Sequence, residues 1–206
     1  AVVGTVRNPK DAQAFAALAP GRAHPLLLDV THLDAIPDAV ADAEQRAGAI
    51  DVLVNNAGYG HEGVLEESSI DDLQRQFAAN VFGPVAMMKA VLPGMRERRR
   101  GHIVNITSMG GFITMPGISF YCGSKFALEG ISEALGKEVA PFGIHVTALA
   151  PGQFRTDWAG RSEAPAPPTR LFLGDDALGL VEGKMAAMEA EIAQWRALSR
   201  STSFAA

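Results

Sequence analysis

Residues 105–125 read N-I-T-S-M-G-G-F-I-T-M-P-G-I-S-F-Y-C-G-S-K. The run H-I-V-N-I from His102 to Ile106, which leads into this stretch, reads as a buried strand. Ser108 falls just past the strand's carboxyl end. Tyr121 and Lys125 stand four residues apart at the start of a helical pattern running from about Phe120 to Val139, so they share one helix face. An ammonium beside a phenol is expected to favour the phenolate and lower its pKa. A phenol tuned in that way can pass a proton to or from an alcohol or ketone oxygen, and the Ser108 hydroxyl can hold that oxygen. Tyr-x-x-x-Lys alone is more often an ordinary surface pair, so the rest of the chain has to decide.

Working outward, short apolar strands alternate with amphipathic helices. Val2 to Val6 reads as a short buried strand ended by Arg7-Asn8-Pro9, and Pro9 starts a helix over Lys10 to Leu18. Leu26-Leu27-Leu28 is the next strand and runs into Asp29-Val30-Thr31. Leu33 to Ala47 is a helix with Ile36, Val40 and Ala43 or Ala47 inward, stopped by Gly48. Ile50 to Val54 is a strand running into Asn55-Asn56-Ala57-Gly58. A long helix or helix pair spans Ile70 to about Arg98. Its apolar positions are Ile70, Leu73, Phe77, Val81, Val85, Met88, Leu92 and Met95, and Pro84 is expected to bend it. Ile144 to Ala150 is a further strand, stopped by Pro151-Gly152. This alternation predicts an α/β fold, a doubly wound parallel sheet in a three-layer α/β/α domain, with a ligand crevice at the carboxyl ends of the strands. Beyond Trp158 the pattern thins. Ala164 to Pro168 is linker-like, Leu171 to Gly174 reads as a last strand, and 177–199 reads as a helix. The whole chain, 1–206, is expected to form one domain.

Composition excludes several classes. The 206 residues suffice for one sizeable core, and 48% hydrophobic with 20% charged residues is ordinary for a globular domain. The net charge of −5 and the lack of a long basic tract argue against nucleic acid, and Arg98-Arg99-Arg100 reads as a solvated helix end. A single cysteine, Cys122, allows no disulfide within the chain and points to a reducing, cytoplasmic setting. The five histidines lack metal-ligand spacing, so no metal is expected. No apolar run reads as membrane-spanning, and no membrane partner is expected.

With Asn55-Asn56-Ala57-Gly58, Ser108, Tyr121-Cys122-Gly123-Ser124-Lys125 and Pro151-Gly152 in this order, the chain resembles the short-chain dehydrogenase/reductase family over nearly all of residues 1–160. The thirteen-residue step from Ser108 to Tyr121 fits the family pattern. The resemblance implies a Rossmann-like NAD(P)-dependent oxidoreductase. Tyr121 would be its general acid or base, Lys125 would tune Tyr121 and bind the nicotinamide ribose, and Ser108 would orient the substrate oxygen. Asn80 would tie a water relay to the lysine. Asn55, Ala57 and Gly58 would lie along the adenine ribose and steady the central sheet, and Asp29 and Val30 would contact adenine. Pro151, Gly152, Phe154 and Thr156 would lie beside the nicotinamide. Arg7, at a strand end without an acid, favours NADP over NAD, because a guanidinium suits a 2′-phosphate. Each position also has a plainer reading: helix or turn caps for Ser108 and Asp29, a bend-capping amide for Asn80, a loop hydroxyl for Thr156, and a surface arginine for Arg7.

Substrate contacts are expected from Ser108, Met109, Tyr121 and Trp158, with Tyr59, His61, Phe112 and Met115 near them, which suggests a small apolar carbonyl or alcohol. The resemblance also implies a homodimer or homotetramer built on the 70–98 and 120–139 helices. Two departures stand out. The family's first strand and its T-G-x-x-x-G-x-G loop should precede Val2, and the segment after Thr156 is short. The expectation is that residues precede Ala1 and that a substrate segment is missing near Ala164 to Pro168, a genuine truncation being the alternative. A non-catalytic Rossmann-like binding protein is the second reading of the chain, and a nucleotide-sugar epimerase or dehydratase, disfavoured by the short C-terminal part, is the third.

Overall fold

The computed structural model describes residues 1–151. Five strands alternate with helices: β1 (Val2–Val6), α1 (Pro9–Leu18), β2 (Ala23–Leu27), α2 (Ile36–Ala47), β3 (Val52–Asn55), α3 (Ile70–Phe77), α4 (Gly83–Arg98), β4 (Gly101–Ile106), α5 (Ser119–Val139) and β5 (Ile144–Leu149). Every strand pairing is parallel, as short apolar strands joined by helices require. The strands form two ladders, β1–β2 and β3–β4–β5. The α/β reading therefore holds, with helices packed on parallel strands. The linker, last strand and C-terminal helix expected after residue 158 lie outside the described residues.

The core forms where α2 and α4 close on the sheet. Ile36 and Val40 of α2, Met88, Val91 and Met95 of α4, Leu53 of β3 and Ile103 of β4 make one buried cluster with Leu28, Val139 and Ile144. Each such side chain contributes about 1.5–3 kcal/mol by leaving water. Ala47, offered as an alternative inward position, is exposed, while Ala43 is buried.

Four expectations need correction. Strand β1, expected to be buried, has no buried residue, and Val2 is 61% exposed. Strand β2 begins at Ala23, ahead of Pro25, because among the described residues it pairs with β1 alone and an edge strand tolerates proline. Ile70 is 65% exposed although the helical period placed it inward; the fully buried residue of α3 is Gln76. Finally, the helical stretch Ile70–Arg98 is by length and composition long and apolar enough to cross a membrane. Met88, Val91 and Met95 instead commit its second half to the core against β3 and β4.

The bend expected near Pro84 is a π-helical turn, Ala78–Phe82, between α3 and α4. Proline has no N–H, so Pro84 cannot donate to the carbonyl of Asn80, four residues earlier, and the regular ladder breaks there. The wider turn buries Ala79, Asn80 and Val81 together.

Candidate active site

The turn after β4 positions the first group. Ser108 is extended and its hydroxyl accepts from Gly110 N–H at 3.2 Å, capping a short 3₁₀ turn, Met109–Gly111. The two glycines let this turn lie directly on α5. A Cβ at Gly110 would stand 3.1 Å from the Tyr121 ring, and one at Gly111 would stand 3.2 Å from the Lys125 carbonyl oxygen. This approach brings the Ser108 hydroxyl within hydrogen-bonding reach of Tyr121.

Tyr121 and Lys125 are each 8% exposed. The Lys125 Nζ lies 5.8 Å from the centre of the Tyr121 ring and donates to the Ile106 carbonyl at 2.8 Å. The charge logic departs from the expectation of a lowered phenol. Burial pushes the Tyr121 hydroxyl up, and the hydrogen bond to Ser108 only partly opposes it. Burial draws Lys125 down to about 8, with the Glu129 carboxylate pulling the other way. Desolvation wins at both groups because both side chains are buried, and the bond that Lys125 donates to Ile106 does not offset it. The arrangement is a neutral phenol able to donate a proton, beside an ammonium close to its titration point.

Asn80 reaches the site from the π turn, 1% exposed. Its Oδ1 accepts from Tyr59 N–H at 3.1 Å, and its Nδ2 donates to the Tyr59 carbonyl at 2.9 Å and to the Ser124 hydroxyl at 3.1 Å. One turn earlier, Gln76 donates to the same Tyr59 carbonyl at 2.8 Å and accepts from His61 N–H at 2.7 Å. Two buried amides thus clamp the backbone that follows Asn55-Asn56-Ala57-Gly58 and tie it to α5. Gly58 is glycine for this reason, since a Cβ there would come within 2.9 Å of Asn80 Oδ1. Both amide hydrogens of Asn80 are engaged, so a water relay through this residue would have to use its carbonyl, which Pro84 deprives of a helical donor.

Asn55 is the last residue of β3. It is buried, and its amide donates to Asn105 Oδ1 at 2.8 Å; Asn105 in turn donates to the Ser132 hydroxyl at 2.8 Å. The two asparagines are register partners of β3 and β4. Their bond locks that register and anchors α5 to the sheet.

The remaining expected residues sit at strand ends. Arg7 follows β1 and is exposed; Asp29 and Val30 follow β2; Ala57 and Gly58 follow β3; Pro151 follows β5. The two ladders meet at the π turn. A Cβ at Gly83 would lie 2.9 Å from the Val30 carbonyl, and Asn80 fills the space at Gly58. Asp29 Oδ1 accepts from Thr31 N–H at 2.9 Å and from the Thr31 hydroxyl at 2.8 Å. These bonds, aided by the positive charges of Arg7 and His32, outweigh burial and hold its carboxyl below the ordinary value. The turn-capping reading of Asp29 is therefore realised. Among the substrate candidates, Phe112 and Met109 are exposed beside the Ser108 turn, at 55% and 36%. Tyr59, His61 and Met115 are half-buried. The His61 ring stacks on Phe120, 5.5 Å between centres, and contacts the Ser68 hydroxyl at 2.9 Å. Gly152, Phe154, Thr156 and Trp158 lie outside the described residues.

Sequence reasoning missed Gln76, Ser124 and Glu129. Gln76 carried a signal: it stands four residues before Asn80 on an amphipathic helix, between the apolar positions Leu73 and Phe77. Ser124 sat inside the quoted motif, three residues after Tyr121, to whose carbonyl its hydroxyl donates at 2.7 Å.

The sequence profile of the short chain dehydrogenase family matches residues 1–166. Oxidoreductase BOA17 of Botryotinia fuckeliana is 42% identical over 162 residues, which are 78% of this chain and 59% of that protein. The 3-ketodihydrosphingosine reductase of Bacteroides thetaiotaomicron is 44% identical over 155 residues, 75% of this chain and 55% of that one. The chain thus spans under two thirds of the length of either relative. Among solved structures, a gluconate 5-dehydrogenase from Burkholderia cenocepacia J2315, in complex with NADP and tartrate, superposes with a TM-score of 0.72 at 30% identity. It covers 76% of this chain and 62% of that one. Parallel strands, a serine at the end of one, and a tyrosine and lysine on the helix that returns from it agree with what the profile recognises, and the chain belongs to the short chain dehydrogenase family.

Proposed function

We propose that the protein is an oxidoreductase that uses NADP to interconvert a carbonyl and an alcohol. The observation carrying this reading is the convergence of Ser108 with the buried Tyr121 and Lys125 at the carboxyl end of β4. The residues present suit a dinucleotide: a small-residue turn at Ala57-Gly58, the Val30 strand end against the π turn, and a guanidinium at Arg7. When bound, the nicotinamide supplies or accepts the hydride. The chain's own residues do the rest. Ser108 and the Tyr121 hydroxyl hold the substrate oxygen, and Tyr121 gives that oxygen a proton in reduction or takes it back in oxidation. Lys125, as an ammonium, stabilises negative charge arising on the Tyr121 oxygen. The carbonyl of Asn80 offers an acceptor from which a proton relay to Lys125 can start. Reduction of a carbonyl panel by NADPH tests the reading. The panel holds a long-chain 3-ketone, as the name of the Bacteroides relative suggests, and a polar keto-acid, as that of the Burkholderia enzyme suggests. The exposed Met109 and Phe112 favour the long-chain ketone. Failure of every carbonyl would overturn the proposal.

Arg7 sets the choice of dinucleotide. Asp29 on the neighbouring strand is committed to Thr31, so a 2′-phosphate meets the guanidinium as its main partner. Arg7→Ala is expected to weaken NADPH binding by about tenfold, the loss of one charge-assisted hydrogen bond, and to leave NADH unaffected. Titration calorimetry with both nucleotides checks this; equal losses for the two would remove Arg7 from the phosphate site.

A second copy of this chain is the proposed macromolecular partner. Phe82 and Phe126 are 51% and 43% exposed on the helical segments 70–98 and 119–139, an arrangement that favours burial between copies. Light scattering is expected to give at least twice the chain mass, and Phe126→Glu to return the monomer.

A further inference from the structure

The face of α5 that carries Tyr121 and Lys125 continues one turn further to Glu129, a carboxyl that the proposed chemistry does not use. Its position is defined by packing. A Cβ at Gly111 would stand 3.0 Å from Glu129 Cγ and 3.2 Å from the Lys125 carbonyl oxygen, so the stem of Glu129 and the backbone of Lys125 lie against the same glycine of the Met109–Gly111 turn. Glu129 Oε1 is buried and has no hydrogen-bond partner among the described residues. A buried carboxylate oxygen without a donor is costly unless a nearby opposite charge offsets the lost water. Lys125, one turn before it on the same face, is such a charge. It is buried, its Nζ is spent on the Ile106 carbonyl, and it has no carboxylate at ion-pair distance among the described residues.

We propose that Glu129 is a positioning residue, the nearby negative charge that keeps Lys125 an ammonium held at the Ile106 carbonyl beside Tyr121. The functional weight of this inference rests on the proposed role of Lys125. The other groups facing the lysine carry no full charge. They are the Tyr121 ring on its own helix and the Ile106 carbonyl at the end of β4. Glu129 is accordingly the side chain whose field opposes the desolvation of Lys125. The two charges are not in contact, so their coupling runs through a low-dielectric interior where water screens it poorly.

The test reads Lys125 directly and needs no turnover. The full chain is labelled with ¹³C-lysine, and the Lys125 side-chain resonance is assigned by its loss in Lys125→Met. The wild-type resonance is expected to titrate near pH 8, the value set by burial and Glu129 together. Glu129→Gln is expected to move the midpoint down by about one pH unit, and Glu129→Ala to do the same should the glutamine variant fold poorly. Glu129→Asp, which keeps the charge, restores most of the wild-type midpoint, and Glu133→Gln on the exposed side of α5 leaves it unmoved. A Lys125 midpoint unchanged in both neutral variants, or lowered equally in Glu129→Asp, would overturn the inference. Because turnover is not measured, an inactive panel would end the proposed function and leave this result standing. An unmoved midpoint would end the inference and leave the function untouched.

Discussion

Tyr121→Phe is expected to lower carbonyl reduction by about 10²–10⁴-fold, the range for loss of a positioned proton donor, while NADPH still binds. The hydroxyl is the only part of the side chain that the substitution removes. The ring keeps its contact with Gly110 and its place over Lys125, so the fold and the Met109–Gly111 turn should survive. Ser108 would remain to hold the substrate oxygen but could not easily supply its proton, because a serine hydroxyl is too weak an acid near neutral pH. A loss confined to turnover, with cofactor affinity kept, separates a missing acid from a collapsed site. Wild-type rates in this variant would remove Tyr121 from the chemistry.

Lys125→Met is expected to abolish activity and yet stabilise the fold by about 2 kcal/mol at pH 7. The unfolded lysine titrates near 10.5 and the folded one at about 8, so burial of the charge destabilises the native state by about 3 kcal/mol at neutral pH. Loss of the hydrogen bond to Ile106 returns about 1 kcal/mol of that. The pH dependence has a definite sign. Below about 8 both states carry the proton and the penalty is complete. Between 8 and 10.5 the unfolded state binds more protons, so wild-type stability rises with pH and the advantage of the methionine variant shrinks. Urea unfolding of both proteins at pH 7 and at pH 10.5 checks this. An equal difference at the two pH values would mean that Lys125 is not buried as a charge. Wild-type activity should fall as pH rises through about 8, where the ammonium is lost. Retention of so costly a side chain is the usual mark of a residue kept for function.

Much of the fold was legible in the sequence because strand, helix and stop signals repeat without conflict. Val2 to Val6, the Pro9 helix start, Gly48 as a stop and the 144–149 strand all stand close to where local chemistry places them. The errors share a cause: a local rule overridden by something distant. The apolar run Leu26 to Leu28 marked the strand, but pairing with β1 carries β2 back to Ala23 through Pro25. Ile70 fitted the helical period, yet the core of that helix is built on Gln76, whose amide finds its partners in the 59–61 backbone.

The site was legible as a set of positions and less so as a set of interactions. Ser108, Tyr121 and Lys125 do converge, since the motif spans one strand, one glycine turn and one helix. Asn80, read as the anchor of a water relay or as an amide capping the bend, uses its side chain to clamp Tyr59 and Ser124. Asn55 likewise serves the register of the sheet. The direction of the tyrosine shift was misjudged because a sequence shows that an ammonium is near a phenol but not that both are dry. Burial decides the balance, and burial is a property of the whole packing around α5.

The central claim is that this chain moves a hydride between NADP and a carbonyl carbon. The most direct measurement is the fate of deuterium placed at the transferable C4 position of NADPH and incubated with the protein and the carbonyl panel. The account predicts deuterium on the carbinol carbon of the product, from one face of the nicotinamide only, appearing about 10²–10⁴-fold more slowly when Tyr121→Phe replaces the wild type. Binding of NADPH with no deuterium reaching any carbonyl would contradict it and would make the chain a dinucleotide-binding protein without this chemistry.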